Sequence, residues 1–125
     1  MDTTPPLVAR PRRPTHLGLQ GKRLWDRIVG DFTLRPDELR ILEDACREAD
    51  LVDRIDGELR DAPLTVPGSM GQPVASPLVQ EVRQHRAVLK TLLAQLKLTE
   101  DGETEAVARS ASARAAANAR WGRGA

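Results

Sequence analysis

Apolar residues recur at intervals of three and four along three stretches of the chain, the spacing that lines one side of an α-helix. The first stretch begins at about Leu17. It sets Leu24, Trp25, Ile28, Val29 and Phe32 on one stripe and Lys22, Arg23, Asp26 and Arg27 on the other side. After a short link at Thr33-Leu34-Arg35, a second helix is predicted from Pro36, whose missing amide is no loss in a first turn. Asp37 and Glu38 there complement the positive end of the helix dipole. Leu39, Leu42, Cys46, Ala49, Val52, Ile55 and Leu59 keep the same period, and the remaining faces are charged and mostly acidic. A third helix opens at Ser76-Pro77, an N-cap followed by an N1 proline, and runs to about Lys97. Its stripe, Leu78, Val82, His85, Leu89, Leu92 and Leu96, is the most regular of the three. Such a seam packs on helices of its own chain or of neighbouring copies.

Between the second and third helices, APLTVPGSMGQPVAS breaks the period with three prolines and two glycines. Leu64 to Val66 and Gln72 to Ala75 fit short extended pieces about the Pro67-Gly68 turn, giving a small hairpin or an ordered loop. Residues 1–16 are proline-rich and read as an extended, disordered basic arm; residues 17–98 form the helical core; residues 99–125 are an alanine- and arginine-rich tail. Alanine favours helix but gives a core little to bury, so the tail is expected to be flexible alone and helical on a partner.

Composition changes this picture chiefly through the distribution of charge. The chain has 19 Lys+Arg against 18 Asp+Glu. The arm holds Arg10, Arg12 and Arg13 against Asp2, and residues 106–125 hold Arg109, Arg114, Arg120 and Arg123 with no acid. Residues 35–61 carry five arginines and ten acids. Two basic ends free of compensating acid point to a polyanion or an acidic partner. At 125 residues a single small domain buries a modest core, so oligomerisation is expected. One cysteine, Cys46, closes no intrachain disulfide, and no apolar run fits a signal peptide or membrane span, which gives a cytoplasmic expectation.

Chemistry-bearing motifs are sparse. There is no GxxxxGK[ST] phosphate loop, no CxxC or HExxH metal spacing and no GxSxG nucleophile elbow, so the chain reads as non-catalytic, without cofactor or metal. The acids of the second helix read as a solvated face, His85 as a packed or hydrogen-bonded residue, and Cys46 as a small buried hydrophobe. Trp25, flanked at helical spacing by Leu24, Ile28 and Val29, reads as core. Trp121, alone among Arg, Ala and Gly, reads as a contact residue.

The order of these segments resembles a known family. PTHL, GKRLWDRI, LRPDELRILEDACREAD, GQPVASPLVQEVR and LLAQLKLTEDGE follow one another over residues 14 to 105. They are similar to the small terminase subunit of tailed double-stranded DNA phages and prophages. That pattern has a Trp-containing first helix, a Leu-Asp-Leu second helix and a "G…(N/S)P" segment leading to a helix that ends in Leu-Leu and Leu-Gly-Leu-Thr. Two departures stand out: Ser76 precedes Pro77 where Asn or His is frequent, and Lys97 stands where the pattern has glycine.

The resemblance implies a mainly α, ring-forming homo-oligomer in the cytoplasm of an infected or lysogenic bacterium. It would bind double-stranded viral DNA for packaging and regulate the large terminase subunit, which carries the ATPase and nuclease. The first two helices would form a helix-turn-helix-like unit packed through Trp25, Ile28, Leu39 and Leu42. Helix three would supply much of the subunit interface, with Trp25, Leu78, Val82, Leu89, Leu92 and Leu96 as packing residues. The DNA-binding candidates are Arg10, Arg12, Arg13, Lys22, Arg23 and Arg27. Arg109, Arg114, Arg120, Trp121 and Arg123 are candidates for DNA or the large subunit. The alternatives are a dimeric helical transcriptional regulator and an interaction adaptor that touches no DNA. Against the regulator, the second helix is acidic and unsuited to lying among phosphates.

Overall fold

The computed structural model describes residues 10–99 and 102–122. They form helices α1 (Leu19–Asp31), α2 (Pro36–Leu59), α3 (Pro77–Gln95) and α4 (Glu105–Gly122), with strands β1 (Thr65–Pro67) and β2 (Pro73–Ala75) between α2 and α3. The strands pair as an antiparallel ribbon in which Val66 faces Val74 and Pro67 faces Pro73. The chain is thus mainly helical, with one small hairpin where the prolines and glycines break the helical period.

Each helix begins for its own reason. Gly18, the N-cap of α1, has no side chain to satisfy the first amides. The carboxylate of Asp50 on α2 does so instead, accepting from the N–H of Gly18 and of Gly21 at 2.7 Å each. A remote aspartate thereby replaces a local N-cap. Glycine at 21 is required by this close approach: a Cβ there would lie 2.8 Å from the Cys46 carbonyl oxygen and nearer still to the Asp50 carboxylate. For α2, the Glu38 side chain turns back to accept the Arg35 N–H at 2.8 Å. This is the half of a capping box that an arginine N-cap can form. α3 has Ser76 Oγ accepting from the Leu78 N–H, and Pro77 at N1.

The hydrophobic stripes meet in two clusters. Leu17, Trp25 and Ile28 pack with Leu42 and Cys46 of α2 and with Leu96 just beyond α3, bordered by Leu24, Phe32, Leu39 and Leu93. Val52 and Ile55 of α2 pack with Val82 of α3, bordered by Leu51, Leu59 and Leu78. α3 therefore runs antiparallel to α2, and α1 covers the end where α2 begins and α3 stops. Polar links tie the helices between and beside these clusters: His85 Nδ1 lies 2.7 Å from Glu48 Oε2, and Arg86 pairs with Asp56.

Beyond α3 the path departs from the expected boundary at residue 98. Lys97 turns through a left-handed conformation (φ 47°), after which Leu98 pairs with Thr104 and Thr33 with Glu103 in single β-bridges. The Thr33 N–H donates to the Gly102 carbonyl at 3.0 Å, so this segment is fastened to the α1–α2 link. Thr104 is fully buried, and its Oγ1 accepts from the Val107 N–H at 3.2 Å, starting α4. The segment read as a flexible tail is therefore joined to the folded body at its root and helical beyond. A capping threonine and an alanine-rich sequence are sufficient local reasons for that helix. The hydrophobic residues of its first turn, Ala106, Val107 and Ala108, are half-buried, whereas every residue from Arg109 to Trp121 is exposed.

Candidate nucleic-acid interface

The described part of the arm, from Arg10 onward, runs as an extended segment beside α1. Arg13 Nε lies 3.3 Å from Asp26 Oδ1, and the Arg10 guanidinium reaches Gly30, one helical turn further along α1. Asp26 and Gly30 belong to the side of α1 turned away from Trp25 and Ile28. The arm thus follows the outward side of the helix until Leu17 drops into the core. Arg12 is exposed, as are Lys22, Arg23 and Arg27 on α1. The fold consequently brings the arm arginines and the helical cations together on one surface, which extends along α1 for about 20 Å at the helical rise per residue. Two carboxylates lie on it: Asp26, paired to Arg13, and exposed Asp31, one turn beyond Arg27 at the end of α1.

Trp25 is not part of that surface. It is 3% exposed, and its indole N–H has no hydrogen-bond partner among the described residues, so shape and apolar contact hold it in place. Of the other packing residues, Val82 and Leu96 are buried, and Leu78, Leu89 and Leu92 are half-buried. The regular stripe of helix three is thus only partly used within one chain, and Val88 beside it is 45% exposed.

The second basic set is separate. Arg109, Arg114 and Arg120 stand on α4 with Trp121, which is 85% exposed; Arg123 lies outside the described residues. Arg114 closes one side of a cleft of about 430 Å³ that it shares with Val107 and with Thr33, Leu34 and Arg35 of the α1–α2 link.

Sequence reasoning missed the work done by individual acids of α2. Asp50 caps α1, Glu38 is buried and caps its own helix, and Glu48 holds His85. The glycine pair at 18 and 21 hinted at a close approach, but nothing in the sequence identified which carboxylate would fill it. Burial pushes the Cys46 thiol up to about 12, and the negative charge of Asp50 adds to the effect. Cys46 is thus an inert, protonated core residue. Among the described residues no group of three or more His, Cys, Asp or Glu is placed to hold a metal ion, and no helix is long and apolar enough to cross a membrane.

Comparison with protein-family models, curated proteins and solved structures finds no match to this chain.

Proposed function

We propose that the chain is the small terminase subunit of a tailed double-stranded DNA phage or prophage: a non-catalytic, ring-forming protein that binds viral DNA and regulates the large subunit. The observation that carries the DNA-binding part is the convergence of Arg10, Arg12 and Arg13 with Lys22, Arg23 and Arg27 on one exposed surface. Had the arm run away from α1, these would be two weak patches. Side by side they form a track that follows a phosphate backbone, and a ring would multiply it, so that weak contacts add.

Lys97 supplies independent support for the resemblance. The small-terminase pattern has glycine at this position, and here the backbone takes a left-handed turn that glycine adopts without strain. A left-handed joint at the position where the pattern has glycine supports the reading. The half-buried stripe on α3 and the exposed Val88 leave apolar surface for a neighbouring copy. In this reading α1 and α2 act as the helix-turn-helix-like unit, and α4 with Arg109, Arg114, Arg120 and Trp121 is a contact for DNA or for the large subunit.

Two measurements test the proposal. Native mass spectrometry should give a single high-order homo-oligomer; a monomer or dimer would remove the ring. Duplex DNA binding should weaken steeply as salt rises, and the Lys22, Arg23 and Arg27 triple alanine variant should bind more weakly with its assembly unchanged. Absence of binding at low salt would overturn the DNA-binding role.

A further inference from the structure

The surface just described has a continuation on α2 that its acidic composition conceals. At the end of the arm, His16 adopts a left-handed backbone conformation (φ 64°) and stands exposed at the point where the chain turns into α1. Arg47 and Arg54, seven residues apart and so on one side of α2, lie next to it. The three side chains, with Asp50 and Leu51 between the arginines, line a cleft of about 280 Å³.

The charges in this cleft are unequally committed. Both oxygens of Asp50 accept from the Gly18 and Gly21 amides at 2.7 Å, at the positive end of the α1 dipole, so this carboxylate pairs with α1 and with neither arginine. Arg47 steadies the arm through the Thr15 carbonyl at 3.3 Å and reaches Glu43 at 3.8 Å, which leaves several of its five N–H donors unused. Arg54 forms no ion pair or side-chain hydrogen bond among the described residues, although Asp50, Asp53 and Glu58 are close in sequence. An unpaired guanidinium beside a second one and an imidazole is a donor set for a phosphate group.

We propose that His16, Arg47 and Arg54 form a phosphate subsite for a DNA backbone, at the α2 end of the track that begins at Arg10. It rests on the DNA-binding reading above and extends it to residues of the acidic helix. The phosphate is assigned to a backbone rather than to a free anion or nucleotide because the cleft is continuous with the arm, whose arginines carry the same donor chemistry on along α1. Asp50, the acid that lines the cleft, has both oxygens committed to the amides of α1, which leaves the guanidinium donors of Arg54 open to a phosphate.

The test uses the full chain and a labelled duplex, followed by fluorescence anisotropy across a chloride series. Arg54→Ala is compared with wild type and with Arg60→Ala, an equal charge loss at the exposed far end of the same helix. One lost phosphate contact should make the slope of log K against log salt shallower by about 0.9 for Arg54→Ala. Arg60→Ala should keep the wild-type slope. Equal slopes for Arg54→Ala and wild type, or equal losses for both variants, overturn the subsite, the second by showing a net-charge effect. Failure of the wild type to bind at low salt is seen first in the same series and fells the DNA-binding reading together with the subsite. In a separate arm inorganic phosphate is titrated into the protein without DNA. Phosphate binding that is lost in Arg54→Ala while that variant keeps the wild-type duplex affinity and salt slope would make this a free-anion site and overturn the backbone assignment.

Discussion

Two helices carry the two tryptophans, and both set arginines beside them, yet α1 and α4 treat the ring in opposite ways. Trp25 is 3% exposed and Trp121 is 85% exposed. The difference lies in what recurs at three and four residues on either side. Gly21, Ile28 and Phe32 continue the stripe of Trp25 toward α2, whereas Ala117 and Asn118 stand in the equivalent turn before Trp121. An aromatic enters a core when its helix brings enough apolar surface to seal the site; otherwise it stays at the surface. The same contrast sorts the basic residues. Those of α1 sit on a helix locked by its core face, and those of α4 sit on a helix held at its root alone.

Removing the anchor should have the largest effect. Trp25→Ala is expected to destabilise the chain by about 3–5 kcal/mol, a large share of what a domain of this size possesses. Urea denaturation followed by far-ultraviolet circular dichroism reads this directly. Trp25→Phe should cost much less, because it keeps most of the apolar volume and removes an indole N–H that has no partner. If the two variants were equally unstable, the unpaired N–H would have a role in holding the core.

The close approach of α1 to α2 gives the next effect. Gly21→Ala should cost about 1–3 kcal/mol, since the added methyl meets the Cys46 carbonyl and the Asp50 carboxylate. Gly57→Ala, on α2 with no atom within 4 Å of its would-be Cβ, should instead stabilise by about 1 kcal/mol from helix propensity alone. A pair of glycines with opposite signs in thermal melts would show that α1 is seated by contact; like signs would sink that account.

Cys46 sharpens the comparison through pH. Its thiol is held up to about 12 from an ordinary 9.0. As pH rises past 9 the unfolded chain releases this proton while the folded chain keeps it, so the folded state binds more protons. Stability should therefore fall between about pH 9 and 12, by up to roughly 1.4 kcal/mol per unit. Cys46→Ala lacks this contribution, and the difference between the two stabilities should narrow over that window. A constant difference would mean that the thiol is not shielded in the folded state.

Much of this was legible beforehand, and what was not has a common physical origin. The three helical stripes, the hairpin over the Pro/Gly segment and the burial of Trp25 follow from local period and turn chemistry, which a single sequence carries. The Asp50 cap and the cleft of His16, Arg47 and Arg54 join residues some thirty positions apart, and the alignment of the arm with α1 pairs Arg13 with Asp26 and Arg10 with Gly30. Local period does not encode those pairings. For α4 the alanine content signals a helix, and the Thr104 cap supplies the local start that composition alone does not show. Lys97, which shows in the sequence as a mere departure from a pattern, marks the left-handed joint leading toward α4. Lys97→Gly should therefore raise stability by about 0.5–1 kcal/mol in the same melts. A loss would indicate that the lysine side chain contributes more than its strained backbone costs.

The smallest effect is expected at Trp121. With 85% of its surface already in solvent, Trp121→Ala has almost no transfer free energy to lose, and stability should stay within about 0.5 kcal/mol of wild type. The two rings can be told apart in one sample type. In Trp25→Phe the remaining emission should be red-shifted and readily quenched by iodide; in Trp121→Phe it should be blue-shifted and protected. Addition of duplex DNA or of the large subunit, the partners proposed above, then tests what exposure is for. If α4 is a contact element, quenching of Trp121 by iodide should fall on binding while Trp25 stays as it was. Protection of Trp121 without any partner, in the assembled chain alone, would instead place α4 between neighbouring copies, and the contrast between the two helices would become one between an intrachain core and an interchain one.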